Sequence, residues 1–373
     1  MNIPFFDYPD VYLKYREKIL DIVDNVGIRG AFIMQQDLDE FETNISKYTN
    51  SKYAIGVANA TDALEMLVKA AGIGSGDEVI ISSHTMIATA SAIAVNGAKP
   101  IPVDCGEDHL IDPNVIEKHI TPNTKCIMPT QLNGRTSNMD RITEIANDND
   151  LVIIEDSAQA LGSKYNGISA GTFGIGGCIS FYPAKVLGCL GDGGMILCQD
   201  GDLYEKLRCM RDHGRQENSG NILFWGRNSR LDNLQAAILN CVFNDYNKIV
   251  KRRRYIANLY YENLNTVDEL LLPPSAKSDV KHYDIFQNYE IEAENRDLLK
   301  DYLFTNGIGT LIQWGGKAVH QFKNLGMNSD LPYTDKVFEK LLMLPINMTI
   351  TDDEVLYVCD IIKKFYSKNY NIL

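Results

Sequence analysis

Three segments of this 373-residue chain carry side chains that can act together on one cofactor. EDSAQALG at 155–162 ends the apolar run from Leu151 to Ile154 in two carboxylates, Glu155 and Asp156, both expected to emerge at the edge of a sheet. SFYPAKVLGCLGDGG at 180–194 sets Lys185 among Pro183, Gly188, Gly191, Gly193 and Gly194. NATDALEMLVKAA at 59–71 reads as a strand-to-helix junction whose first amides point outward. A lysine held in a rigid, partly desolvated loop has a lowered pKa and becomes a nucleophile toward an aldehyde. Pyridoxal phosphate is an aldehyde cofactor that needs such a lysine, a carboxylate to keep its ring nitrogen protonated and a helix N-terminus for its phosphate. Lys185, Asp156 and the helix start Ala60, Thr61, Asp62 with Ser180 supply these parts. Taken singly, Lys185 reads as a surface lysine and Asp156 as a helix cap; their joint occurrence at strand ends is what points to chemistry.

The elements that must position them follow from the pattern of apolar residues. Short β-branched runs at 53–57, 78–82, 99–103, 125–129, 151–155, 178–181 and 195–198 alternate with amphipathic stretches such as DALEMLVKAAG and MDRITEIANDND, long enough for crossover helices. This predicts an α/β domain with a mostly parallel seven-stranded sheet flanked by helices, with ligands at the carboxyl ends of the strands. After Asp232 the texture changes to one or two long helices, then to Pro-containing loops and a shorter mixed segment. The expected division is a large cofactor-binding domain over 1–245, N-terminal arm included, and a small α+β domain over 246–373.

Weaker signals fail on context. GISAG at 167–171 matches a nucleophile elbow, but a glycine-rich stretch follows it where a helix is required. Gly72, Gly74 and Gly76 end a helix and precede a strand, the reverse of a dinucleotide-binding loop. Lys251 to Arg254 read as a solvated helix face, because successive helical residues point in different directions. The 36 basic against 49 acidic residues, a net charge of -13, argue against a nucleic-acid partner. The longest mostly apolar stretch, Ile87 to Val95, is far short of the ~20 residues of a membrane span, and MNIPFFDYPD lacks a basic signal region, so a cytoplasmic protein is expected. The eight cysteines are scattered without a CxxC pair and read as reduced core residues. The six histidines are scattered too, without HExxH, and no metal site is expected.

With these residues in view, the chain resembles the DegT/DnrJ-type sugar aminotransferases, fold-type I pyridoxal phosphate enzymes of the aspartate aminotransferase type. The likeness runs from GIRGAFI near residue 27 through KYAIGVANATDAL, EDSAQALG, SFYPAKVLGCLGDGG and NSRLDNLQAAIL, and weakly to LPINMTITDDEV. The resemblance implies that Lys185 forms the Schiff base with the cofactor and shuttles the proton, that Asp156 holds the pyridine nitrogen and that Gln159 lies against the cofactor face or its 3'-oxygen. It places Ala60, Thr61 and Ser180 at the phosphate, and Asn228 at the phosphate of the neighbouring subunit, hence a homodimer with shared active sites. Where relatives carry an aromatic residue over the ring, SSHTMIAT has Met86, preceded by His84; a thioether also packs on a π-face. PxHLYG of the family appears as PTQLNG, with Gln131 and Asn133 replacing His and Tyr. HYPxPLH is replaced by IQWGGKAVHQF at 312–322, so Gln313, Trp314, Lys317 and His320, with His84 and Arg230, are expected at the substrate, Lys317 facing an anionic group.

The resemblance implies transfer of an amino group from glutamate to a ketosugar, most simply a nucleotide-linked 3- or 4-keto-deoxyhexose, for surface polysaccharide or amino-sugar biosynthesis. A keto-sugar acid without a nucleotide is the alternative that the rewritten 312–322 segment leaves open. A sugar dehydratase of the same superfamily carries histidine where this chain keeps Lys185, and a non-catalytic regulatory homologue has no need of the complete set of Lys185, Asp156, Gln159, Ser180 and Asn228.

Overall fold

The computed structural model describes residues 1–367. Two helices, α1 (Tyr8–Arg29) and α2 (Gln36–Thr49), precede a seven-stranded sheet. Its strands are β1 (Tyr53–Val57), β2 (Glu78–Ser82), β3 (Lys99–Val103), β4 (Thr124–Met128), β5 (Val152–Asp156), β8 (Gly176–Ser180) and β9 (Gly194–Cys198). Two-residue strands β6 (Lys164–Tyr165) and β7 (Ile168–Ser169) form a hairpin between β5 and β8. The sheet order is β1-β9-β8-β5-β4-β2-β3; β9 pairs antiparallel with β1 and β8, and every other pairing is parallel. Six strands therefore end at one edge, where β9 begins. Runs such as EVIIS and TKCIM are apolar without alternation because helices cover both faces. Helices α3 (Ala60–Ala70), α4 (Ile87–Ala94) and α6 (Gly201–Arg211) pack a core on one face, and α1, α2 and α7 (Asn233–Phe243) on the other. Helix α5 (Met139–Asp148) covers β4 and β5.

The chain then builds a three-stranded antiparallel sheet in the order β10 (Leu270–Leu271), β12 (Tyr289–Ala293), β13 (Leu341–Leu344). Helices α8 (Tyr246–Leu264), α9 (Arg296–Thr305) and α11 (Asp352–Ser367) close its core, while α10 (Pro332–Lys340) lies at its edge near Cys105. β11 (His282–Tyr283) returns to pair with β6. The expected division at residue 245 falls between α7 and α8, yet α8 serves both cores: Tyr246, Ile249 and Val250 pack with α1 and α7, and Ile256, Tyr260 and Leu264 with the small sheet. The N-terminal arm, expected with the large domain, sends Ile3 into the C-terminal core, where it bridges to Ile308.

The basic run 251–254 is not a solvated face. Arg253 is buried and donates to the carbonyls of Phe286 (2.7 Å) and Gln287 (2.6 Å). Arg254 binds the carbonyls of Asp284 and Ala276, and Arg252 pairs with Asp352. Successive side chains do point around the helix, but here the three arginines meet protein, and Lys251 alone of the run stands exposed as a solvated residue.

Candidate active site

The carboxyl edge of the sheet opens into a cavity of about 470 Å³. Asn59 caps α3 by accepting from the Asp62 amide (2.8 Å), which fixes the chain's exit from β1 and leaves the first-turn amides of Ala60 and Thr61 without partners inside the helix. β9 runs against this turn so closely that a Cβ on Gly194 would stand 2.4 Å from the Asn59 carbonyl carbon. Ser180, ending β8, faces the same end of the cavity. An anion-binding cradle of amides and a hydroxyl results, as a phosphate requires.

Asp156 closes β5 and is 4% exposed. Thr89 of α4 donates to its Oδ2 (2.6 Å) and the Ala158 amide to its Oδ1 (3.2 Å). Thr89 is in turn tied through Thr85 to Thr130, a hydroxyl chain across three strand ends. Among the described residues no cation stands in ion-pair contact with Asp156, so a buried carboxylate faces the cavity ready for a protonated ring nitrogen. Lys185 lines the same cavity; burial pushes its pKa down to about 8 against the opposing pull of the Asp156 charge. Its loop is clamped by Gln287, whose side chain accepts from the Val186 amide (2.9 Å) and donates to the Ala184 carbonyl (2.9 Å). Gln159 also lines the cavity, its Oε1 accepting from the Asn133 amide (2.8 Å). Lysine, carboxylate and anion cradle around one space fit pyridoxal phosphate.

Met86 sits in the cavity wall at the start of α4, and Gln313 and Trp314 line the far side. Trp314 and Gly315 are left-handed (φ 54° and 66°), a local reversal that turns Gln313 and Trp314 inward and leaves Lys317 exposed outside the cavity, contrary to expectation. His320 is also displaced: it is buried against Ser83 Oγ (2.6 Å) and Asp335 Oδ1 (3.0 Å) and holds its turn to the end of β2. His84, expected at the substrate, is fully buried behind the cavity with its ring against Phe338. Arg230 is spent on Asp212 (3.0 Å), outside this cavity. Asn228 is exposed and likewise outside it.

The two carboxylates of 155–156 part company because neighbouring strand residues face opposite sides. Glu155 turns into the protein, where it accepts from the amides of Gly171 (2.9 Å) and Phe173 (2.7 Å) and from Gln131 Nε2 (2.7 Å). Gln131 is thus structural, whereas Asn133 meets the site. Sequence reasoning missed Thr89, Gln287 and Asn288. Thr89 left a trace, a hydroxyl in the first turn of α4 four residues after Thr85; Gln287 and Asn288 left none, since only the fold brings them to Lys185 and Asn133.

The sequence matches the DegT/DnrJ/EryC1/StrS aminotransferase family over residues 14–363. It is 37% identical to the "pleiotropic regulatory protein" of Geobacillus stearothermophilus, covering 98% of this chain and 99% of the relative. It is 34% identical to the dTDP-3-amino-3,4,6-trideoxy-alpha-D-glucose transaminase of Streptomyces venezuelae, over 98% of this chain and 96% of that one. The fold superposes on the crystal structure of S. venezuelae DesV in complex with a ketimine intermediate with a TM-score of 0.92, at 33% identity and 98% coverage of both chains. With the lysine, the carboxylate and the phosphate cradle in place at one sheet edge, this chain belongs to the DegT/DnrJ/EryC1/StrS aminotransferase family and is a pyridoxal phosphate-dependent aminotransferase.

Proposed function

We propose that the enzyme moves an amino group from glutamate to a nucleotide-linked 3- or 4-keto-deoxyhexose. The observation that carries this reading is the convergence of Lys185, Asp156 and the α3 N-terminus on one cavity whose remaining lining is neutral apart from Asp192. Bound pyridoxal phosphate supplies a carbonyl that accepts and returns the amine, and an electron-withdrawing ring that acidifies the adjacent C–H bond. The first-turn amides of α3, Thr61 and Ser180 would hold the phosphate, and Asp156, oriented by Thr89, would keep the ring nitrogen protonated. Lys185 Nζ would hold the cofactor and would move the proton at the carbon that gains or loses the amine. Met86 and Gln159 would bracket the ring.

Gln313, Trp314 and Asn288 offer hydrogen bonds and an aromatic face rather than charge, which suits a neutral hexose ring. A keto-sugar acid would bring its carboxylate into the cavity, which neither Lys317 nor His320 lines, whereas the diphosphate of a nucleotide-linked sugar is remote from the reacting ring and can lie outside it, so the nucleotide-linked sugar is favoured. Asn228, exposed on the loop beyond α6, would reach the cofactor phosphate of the partner subunit in a homodimer. No helix among the described residues is long and apolar enough to cross a membrane. All eight cysteines are free, which fits a reducing cytoplasm. Absorption spectroscopy tests the reading: the yellow band of the loaded enzyme should bleach with glutamate and return with a nucleotide-linked ketohexose. Return with a free keto-sugar acid but not with the nucleotide sugar would reverse the choice of substrate.

A further inference from the structure

The scattered histidines do not stay scattered. His84 follows β2, His109 lies in the loop after β3 in a left-handed conformation (φ 65°), and Glu290 belongs to β12 of the C-terminal sheet. All three are buried, and one ligand atom from each lies within 4.8 Å of the others. Glu290 Oε1 is 2.9 Å from His109 Nδ1 and 3.7 Å from His84 Nε2. Ligands around tetrahedral zinc, each at ~2.0–2.2 Å from the ion, stand about 3.3–3.5 Å apart, so small movements would seat a cation here.

We propose that His84, His109 and Glu290 bind a divalent transition cation of the zinc class, which clamps the large sheet to the C-terminal sheet behind the substrate cavity. Three independent features point to a ligand. Neither ring nitrogen of His84 has a regular hydrogen-bond partner, although the side chain is fully buried, and Glu290 Oε2 is equally unpartnered. Gln313 interacts with His84 and has an Oε1 without a regular hydrogen-bond partner, so it is the neutral group that could complete the coordination sphere. His109 presents Nδ1 to the cluster while its Nε2 meets Glu292 Oε1 at 3.1 Å, the outer carboxylate that commonly orients a metal-bound imidazole.

Charge supports the same assignment: the carboxylates of Glu290 and Glu292 face the two imidazoles, and a divalent cation matches their two negative charges, any proton it displaces from His109 Nδ1 going to solvent. A cavity of about 30 Å³ reaches His109 and Glu290; Glu107, Asp108 and Asp284 line it against one cation, Arg135, so its lining is acidic on balance.

The test uses the loaded enzyme, treated with a chelator, dialysed and titrated with Co²⁺. The site predicts about one equivalent per chain with the strong visible bands of a tetrahedral cobalt centre. Zinc should displace the bands and raise the melting temperature. His84→Asn and Glu290→Gln, checked for folding by circular dichroism, should lose the bands, whereas His119→Asn, outside the cluster, should keep them. X-ray absorption of the zinc-loaded wild-type enzyme provides a readout that needs no variant: two imidazole ligands support the site. No binding at micromolar metal, bands that survive both substitutions, or fewer than two imidazoles around zinc would overturn it and leave His84, His109 and Glu290 as a proton-holding cluster only.

Discussion

Lys185 must be a nucleophile at the pH of the cell and yet sit beside a carboxylate that favours its charged form. Burial wins, and its pKa falls to about 8, so at neutral pH the ammonium still predominates and the neutral amine appears as pH rises through that value. Uptake of pyridoxal phosphate by cofactor-free enzyme, followed by stopped-flow growth of the yellow band, should therefore accelerate with an inflection near pH 8. Asp156→Asn removes the charge that holds the proton on Lys185 and should move the inflection to lower pH; a shift upward would contradict the electrostatic assignment. Lys185→Ala should bind the cofactor without a covalent bond and lose about a thousandfold or more in turnover, the scale of a lost acid–base group. These two residues were legible in the sequence because their setting is local: a glycine-bordered loop and the end of an apolar run. His84, Lys317 and His320 were not, since their direction is decided by contacts such as Ser83 with His320, 237 residues apart. Gln313 and Trp314 line the cavity, at a backbone reversal through Trp314 and Gly315.

At the scale of elements, α8 connects stability to the site. Arg253 binds the carbonyls of Phe286 and Gln287, and the Gln287 side chain grips the backbone on both sides of Lys185. Arg253→Leu leaves two buried acceptors unpaired and should cost about 3 kcal/mol in urea unfolding. The same variant should release cofactor faster, measured by loss of the yellow band on dilution, although Arg253 lies outside the cofactor cavity; unchanged retention would show that the 283–288 segment holds its place without α8. The strands at 53–57, 78–82 and 99–103 were predicted residue for residue, because apolar runs buried on both faces and bounded by turns leave little choice of register. The C-terminal half was legible only as mixed, because its β10 and β11 are two residues long and exist through pairing with distant partners. The basic run of α8 misled for a related reason: helical periodicity says that four cations diverge, and only the fold says what each one meets.

For the whole molecule, the exposed residues raise the question of a second subunit. Phe32 and Ile33, and Ile222, Leu223 and Trp225 on the loop that carries Asn228, stand exposed, Trp225 at 91%. Large apolar side chains in such number on a loop invite a covering protein surface. If two chains meet there and Asn228 serves the phosphate of the opposite site, Asn228→Asp should weaken cofactor binding by placing a carboxylate against it, while leaving the lysine of its own chain intact. The two defects would then belong to different sites. Mixing Lys185→Ala and Asn228→Asp chains in equal amounts, after unfolding and refolding together, should yield half mixed dimers, each with one site bearing both defects and one bearing none. Activity should thus recover to about a quarter of the wild-type value although each variant alone is nearly inactive. Absence of recovery, with mixed dimers confirmed by native mass spectrometry, would place Asn228 and Lys185 in the service of the same site.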